Sequence, residues 1–444
     1  MTPTPKYLII GSGPSGCYVV DQLIKQFPSC TCDVIDTLPH PFGLIRTGVA
    51  PDHEKIKSLA TYFEKILSHE SVSFYGNVSF GKDIHLQHIK QFYDAIFICT
   101  GSCHDNLLPL PALPDRYCGS KEVVQWYNGY SHLNTMFNPN QLGPSVSLIG
   151  MGNVALDIAR IFLKSKKDLA PTETPSSCID LLSQKSINHV HIFARRGPSQ
   201  AKCTPFELEE LLSLDDLAIH INPNELALSK TDLIEHDNHP QIKKKYDLFN
   251  SFASKKEGSK HLHLHFYSLI KEVKDRTITF EKTKLEGIPE QQKAIGTGDL
   301  FTHQTDYLIS CTGYKGNRIN DVPFNSQLNI IPNTLGKVQT DLHPHIYVSG
   351  WIKRGPSGVI GTNKRDAIET VKTFTDSLPK DFSSKSDDFD LLAYLSSTKK
   401  TIFTLDHWKK LDHYETQEGL KAHKKRLKCT HPDDILASVS DVNL

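Results

Sequence analysis

At about 150 residues per domain, a chain of 444 residues has room for two or three domains, each able to bury its own core. Composition is that of an ordinary globular protein, 38% hydrophobic and 23% charged, and 50 basic side chains balance 50 acidic ones, so no global electrostatic attraction to nucleic acid or membrane follows. Ten cysteines (Cys17, Cys30, Cys32, Cys99, Cys103, Cys118, Cys178, Cys203, Cys311 and Cys429) are scattered without a C-x-x-C pair, which predicts buried, reduced thiols and no metal centre.

The first element is the apolar run Tyr7 to Ile10, expected as a buried parallel strand. It passes through Gly11-Ser12-Gly13-Pro14-Ser15-Gly16 into an amphipathic helix from Cys17 to Gln26. A second strand, Cys32 to Ile35, ends on Asp36, and a helix is expected over 54–68, completing a β-α-β unit. In the turn, Gly11 lets the chain bend, Gly13 lets the backbone approach a pyrophosphate, and Gly16 lets the helix pack against the strand. The helix start holds the negative charge, and Asp36 is placed to accept hydrogen bonds from an adenosine ribose.

After a Pro-rich crossover, Pro109 to Pro114, the pattern restarts. Val146 to Ile149 reads as a strand, Gly150-Met151-Gly152-Asn153-Val154-Ala155 as a second nucleotide turn, and Val154 to Leu163 as its helix. The next strand, Val190 to Ala194, ends on Arg195 and Arg196 where an acid would bind a free ribose; two guanidinium groups suit a 2′-phosphate and favour NADPH over NADH. Stretches 165–187 and 228–262 lack periodicity and are expected as surface loops or exposed helices. An irregular stretch from Pro323 to Pro332 is expected to carry the chain back to the first domain.

The expected fold is therefore α/β: two Rossmann-like, three-layer dinucleotide-binding domains, the second inserted into the first, with 1–104 and 326–444 forming one and 105–325 the other. Near the end, Gly350 to Gly361 precedes a helical run from about Asn363 to Phe374, whose N-terminus would stabilise a reduced flavin while Trp351 flanks the ring. The basic run Lys421 to Lys428 reads as a solvated tail packed on the first domain.

Several segments together resemble the adrenodoxin reductase type of ferredoxin–NADP⁺ reductase, within the glutathione reductase superfamily. They are Pro39 to Lys57, Trp126 to Gly129, Gly152 to Arg160, Ala194 to Pro198, Ser310 to Tyr314 and Gly350 to Ile360, and the likeness extends over essentially the whole chain. The resemblance implies FAD on Gly11, Ser12, Gly13, Pro14, Ser15 and Gly16, with contacts at Asp36, Gly43, Leu44, Phe80, Trp351, Gly358, Val359 and Ile360. It implies NADPH on Met151, Gly152, Asn153, Val154, Arg195, Arg196, Glu207 and Gly358, with His53 and Glu207 as the catalytic positions that orient ligand and handle protons.

Reduced flavin would release single electrons to ferredoxin or flavodoxin, and Lys243, Lys244 and Lys245 fall where the family carries a basic docking helix. The alternatives are a flavoprotein disulfide reductase, for which Cys99 and Cys103 are the nearest pair, a monooxygenase, and a nucleotide-binding scaffold or redox sensor. No nucleic-acid or membrane partner is expected. No apolar run reaches the roughly 20 residues of a bilayer span, only six residues precede the first strand, and a cytoplasmic monomer is expected.

Overall fold

The computed structural model describes residues 4–110, 115–252, 254–343, 345–379, 384, 389–397 and 401–440. The expected Pro109–Pro114 crossover falls partly outside them, at 111–114. By its contacts the chain forms two compact units: unit 1 is Met1–Val49, His53–His104 and Tyr314–Leu444, and unit 2 is Ala50–Asp52 and Asp105–Gly313. The division back to unit 1 thus lies at Gly313/Tyr314, upstream of the expected residue 325, and three early residues belong to unit 2.

Unit 1 is built on a seven-stranded sheet in which Lys6–Ile10 lies between Thr31–Asp36 and the central strand Ala95–Ile98, all parallel. Val72–Gly76 extends one side; Ile346–Val348, returning from the end of the chain, extends the other in parallel with Ala95–Ile98. Near-continuous apolar strands such as Tyr7-Leu8-Ile9-Ile10, with every side chain buried, are what a sheet covered on both faces requires. On one face, Cys17, Val20, Ala367, Val371 and Phe374 of helices Pro14–Gln26 and Ile360–Asp376 share a core. The helix expected over 54–68 is two helices, Glu54–Lys57 and Leu59–Leu67, separated at Ser58.

Helix Leu405–Lys421 carries fully buried Glu415, which receives Arg46 Nη1 at 2.9 Å and Arg426 Nη1 at 2.8 Å, while the Arg46 guanidinium lies 5.2 Å from the centre of the Trp408 ring. Arg426 also pairs with Asp412, and Lys428 donates to the carbonyl of Arg46. The basic run does pack on the first domain, but Arg426 and Lys428 belong to an internal ion network and are not solvated as expected, because a buried carboxylate needs cations around it.

Unit 2 centres on a six-stranded, all-parallel sheet in the order Tyr117–Gly119, Tyr307–Ser310, Ser145–Ile149, His189–Phe193, Lys260–His265, Leu217–Ile221. Helices occupy one face, where Val190, Ile192, Leu262 and Leu264 join Leu156 and Ala159 in the core. Of the two segments read as loops or exposed helices, the first holds helices Lys166–Leu169 and Ser176–Lys185 and the second Lys230–Asn238 and Pro240–Phe252. The second also runs into Lys260–His265, an interior strand of the sheet, which corrects that part of the reading.

On the opposite face the sheet meets a three-stranded antiparallel sheet, Ser268–Lys274, Thr277–Glu286 and Lys293–Gln304, with Phe193 stacked on Phe280 at 4.2 Å. Beyond that contact the face carries histidines. Burial, reinforced by neighbouring imidazoles, lowers the pKa of His191 to about 2, of His263 to about 3 and of His265 to about 4, and burial alone lowers that of His303 to about 4. At neutral pH these four rings are uncharged.

Asp52 binds Arg160 through both oxygens, each at 2.9 Å, and Lys164 Nζ at 2.6 Å, with Arg160 only 1% exposed. Burial alone would raise the Asp52 carboxyl, but the Arg160 guanidinium and Lys164 ammonium outweigh it and hold its pKa well below the usual carboxylate range. A folded value below the unfolded one stabilises fully above about pH 4, and that stabilisation fades as pH falls toward the folded value. The unfolding temperature of unit 2 should therefore begin to fall below about pH 4, and Asp52→Asn should flatten that slope in scanning calorimetry. An unchanged slope would assign the acid sensitivity to other carboxylates.

Candidate functional site

The two glycine-rich turns share one construction. In unit 1 Gly11 has φ +104°, its amide donates to Ile35 O at 2.8 Å, and an added Cβ would lie 2.5 Å from Cys99 O. In unit 2 Gly150 has φ +117°, its amide donates to Phe193 O at 2.9 Å, and a Cβ would lie 2.3 Å from Cys311 O. Each turn is thus wedged between two adjacent strand ends where only glycine fits. Each leads into a helix, Pro14–Gln26 or Asn153–Leu163, whose first amides have no side-chain cap: an anion-receiving end at the carboxyl edge of a parallel sheet.

Around the first turn, Asp36 Oδ2 accepts from the Ser12 amide (2.8 Å) and hydroxyl (2.7 Å), and Oδ1 accepts from the Leu38 amide (3.0 Å). Burial raises its pKa, opposed by these hydrogen bonds. At least three of roughly four acceptor positions are filled from within the protein, with the Thr37 amide also favouring the charged form, so Asp36 braces the turn and offers a ribose hydroxyl at most one position. The loop before Gly43 closes over the turn: Phe42 donates its amide to Ser12 O at 3.1 Å, and its ring meets Trp408 edge-on at 5.2 Å. Leu44 opens helix Leu44–Thr47 and is exposed; Phe80 packs against the apolar core on the other side of the sheet.

Two hydroxyls at neighbouring strand ends, Thr100 Oγ1 and Ser349 Oγ, are buried without a partner among the described residues. Ser349 is held there by its amide bond to Ile98 O at 3.1 Å. Trp351 is half-buried and donates Nε1–H to Ser357 O, and Gly358–Val359 lead into helix Ile360–Asp376, which begins three residues before the expected Asn363.

Around the second turn, a network absent from the sequence-based expectation fixes the dinucleotide helix. Asn153 donates Nδ2–H to Glu207 Oε1 at 2.9 Å and accepts from the Thr204 amide at 2.9 Å, while the Thr204 hydroxyl donates to Glu207 Oε2. Thr204 and Glu207 stand at the spacing of a capping box, at the start of helix Pro205–Leu212, but the Thr204 hydroxyl goes to the Glu207 side chain and caps no backbone amide, so no spacing rule reports the network. Lys202 donates its amide to Met151 O at 2.9 Å, so the 199–204 loop runs alongside the turn.

Arg195 is exposed and Arg196 half-buried, and among the described residues neither makes an ion pair. Burial and the adjacent Arg195 lower the Arg196 pKa. Thr283 Oγ1 and the Tyr267 amide hold the carbonyls of Arg195 (2.8 Å) and Arg196 (3.3 Å), fixing the roots of two unpaired cations.

The match to known proteins is extensive. Residues 9–75 fit the family described as an NAD(P)-binding Rossmann-like domain. The mitochondrial NADPH:adrenodoxin oxidoreductase of Arabidopsis thaliana is 33% identical, covering 98% of this chain and 95% of the relative. The chain belongs to the adrenodoxin reductase family. The Mycobacterium tuberculosis member, NADPH-ferredoxin reductase FprA, is 31% identical, covering 97% of this chain and 98% of the relative. The solved structure of that FprA in complex with NADPH superposes with a TM-score of 0.91, covering 98% of this chain and all of the other.

Within this family member, two expectations change. Lys243-Lys244-Lys245 is not a uniform basic patch: Lys245 is buried, donating Nζ to Ser199 O (3.0 Å) and Ala201 O (2.5 Å), and Lys244 pairs with Glu209 at 2.8 Å. Helical spacing turns Lys245 inward, where it pins the loop beside the nucleotide turn, leaving Lys243 exposed. The disulfide-reductase alternative also loses its pair, since Cys99 is buried with its thiol pushed up to about 12, and every cysteine is unbridged.

His53 is buried in unit 1 at the start of helix Glu54–Lys57, and Glu207 is buried in unit 2. The contacts of Glu207 make it a positioning residue for Asn153. Glu207→Ala should raise the KM for NADPH about tenfold, the worth of one lost charged hydrogen bond, with Glu207→Gln near wild type. A fall in kcat for Glu207→Gln at unchanged KM would return Glu207 to proton handling.

Proposed function

We infer that this family member is an FAD-dependent oxidoreductase that takes hydride from NADPH and passes electrons singly to a small iron–sulfur protein of the ferredoxin type, with flavodoxin an alternative acceptor. FAD, when bound, supplies the conversion of one hydride into two single electrons. The observation that carries the reading is two turns of one construction with opposite ribose-side chemistry, a carboxylate at Asp36 and unpaired guanidiniums at Arg195 and Arg196, in a chain related to NADPH-ferredoxin reductases over its whole length.

We assign FAD to unit 1. The amides of Gly11 to Gly16 and the start of helix Pro14–Gln26 receive the pyrophosphate, and Asp36 takes a ribose hydroxyl with its remaining acceptor position. The hydroxyls of Thr100 and Ser349 at the strand ends, without partners among the described residues, support a polar ligand there. Gly43, Leu44, Phe80, Trp351 and Gly358 to Ile360 supply further contacts. We assign NADPH to unit 2: Met151 to Val154 receive its pyrophosphate, Arg195 and Arg196 its 2′-phosphate, and Glu207 holds Asn153 in place. His53 is the expected proton-handling neighbour of the ring.

Unbridged, mostly buried thiols suit a reducing cytoplasmic compartment, and no helix among the described residues is long and apolar enough to cross a membrane. Lys243 remains as a docking cation from the expected cluster.

The test is an anaerobic stopped-flow mix of the yellow protein with NADPH and with NADH, following bleaching near about 450 nm, where oxidised flavins absorb. Fast bleaching by NADPH, slow bleaching by NADH and onward reduction of a ferredoxin are expected. Absence of bleaching with either nucleotide would leave a nucleotide-binding scaffold, and NADPH consumption coupled to substrate oxygenation would mark a monooxygenase.

A further inference from the structure

The parallel sheet of unit 2 carries, on the face away from its helices, a field of imidazoles that neither nucleotide turn uses. Alternation in His189–Phe193 sends Val190 and Ile192 into the helix-side core and His189 and His191 to the other face. Lys260–His265 repeats the pattern, with Leu262 and Leu264 inward and His261 and His263 opposite. Parallel register sets His189 beside His261 and His191 beside His263. The rings stack at 4.7 Å and 4.2 Å, with planes 9° and 8° apart.

Stacking along the rows brings ring nitrogens together on the diagonal. His189 Nδ1 lies 3.2 Å from His263 Nε2, and one nitrogen each of His189, His191 and His263 falls within 4.8 Å of the others. Two imidazole nitrogens bound tetrahedrally to one zinc ion at about 2.0–2.1 Å sit roughly 3.3 Å apart, so the observed spacing is close to that of a bridged pair. All three rings are partly exposed, which leaves an entry path from solvent.

We propose that His189, His191 and His263 form a binding site for a late first-row divalent transition ion, a site outside both nucleotide turns. Three neutral nitrogen donors select Zn²⁺, Cu²⁺ or Ni²⁺ over the oxygen-seeking Mg²⁺ and Ca²⁺. Three protein ligands leave the fourth position to water. Cysteine spacing alone predicts no metal centre; these ligands come instead from two strands separated by about seventy residues in sequence, 74 for His189 and His263. The competing account is a ladder of neutral imidazoles linked by N–H···N hydrogen bonds, which binds nothing.

The holoenzyme, made without a histidine tag and freed of metal by chelator, is titrated with Zn²⁺ and separately with Mg²⁺ in a calorimeter. One saturable equivalent of Zn²⁺ and no Mg²⁺ binding are expected. His191→Gln and His263→Gln should lose that equivalent, while His413→Gln, an exposed histidine of unit 1, should keep it. Since either sheet variant could loosen the fold, the unmodified protein is also loaded with one equivalent of Cu²⁺, whose paramagnetic resonance spectrum should show splitting from several nitrogens. Absence of saturable Zn²⁺ binding, retention of the equivalent in both sheet variants, or an oxygen-only Cu²⁺ spectrum would each overturn the site.

Discussion

Replacing Arg195 and Arg196 together by alanine should raise the KM for NADPH by roughly 100-fold or more while leaving the much weaker use of NADH almost unchanged. A hydrogen bond to a charged group contributes about 1.5–3 kcal/mol, and each 1.4 kcal/mol is tenfold, so two guanidinium contacts to a 2′-phosphate account for at least two decades. Neither arginine has an ion-pair partner among the described residues, and buried Glu235, which interacts with Arg196 through space, keeps its hydrogen bonds from Gln200 and the Glu290 amide in the double variant. Their backbone carbonyls are tied by Thr283 and Tyr267, so the turn itself should survive the change. Steady-state reduction of ferricyanide with each nucleotide reads the outcome. Equal losses for NADPH and NADH would mean that the pair stabilises the domain without recognising the phosphate.

The second large effect concerns Glu415. With Glu415 changed to alanine, Arg46 and Arg426 lose a common carboxylate that is wholly buried, and stranded buried charge typically costs about 3–5 kcal/mol. For a unit of this size each kcal/mol moves the unfolding temperature by about 2–4 °C, so a fall of about 6–20 °C is expected by differential scanning fluorimetry. Arg46 lies in the short helix Leu44–Thr47 that follows the loop closing over the first turn, so the variant should also shed FAD on gel filtration. Glu415→Gln, which keeps acceptor and shape but not charge, should fall between the two. An unchanged melting temperature would show that the network is solvated and of little weight.

Much of the nucleotide machinery was legible in the sequence because its requirements are local. Gly11 and Gly150 announce tight turns, the apolar runs before them announce buried strands, and Arg195-Arg196 sits where chain order puts the next strand end. What escaped depends on residues distant in sequence. Strand Lys260–His265 reads as polar because every second residue is Lys or His, yet its alternate leucines are a half-buried strand's signature and it pairs on both sides. Lys245 looks like its two lysine neighbours, and only helix Pro240–Phe252 packing its own unit turns it inward. The carboxylate of Asp36 is half spent on Ser12, a sharing that no spacing rule reports. The basic run after Lys421 needed Glu415 and Arg46, 369 residues apart, to become an interior feature.

That separation has a consequence for biosynthesis. Unit 2 is almost entirely the continuous stretch from Asp105 to Gly313, so it can complete its sheet while the last third of the chain is still being made. Unit 1 cannot: strand Ala95–Ile98 has no neighbour on its outer side until Ile346–Val348 emerges, and Arg46 has no counter-charge until residue 415. During that interval the nascent chain displays an apolar, unpaired strand edge, the feature most prone to wrong pairing between chains. A chain ending between residues 313 and 346 should therefore yield a folded NADPH-type unit attached to an aggregation-prone N-terminal segment, which makes the return of strand Ile346–Val348 the step that rescues the first hundred residues.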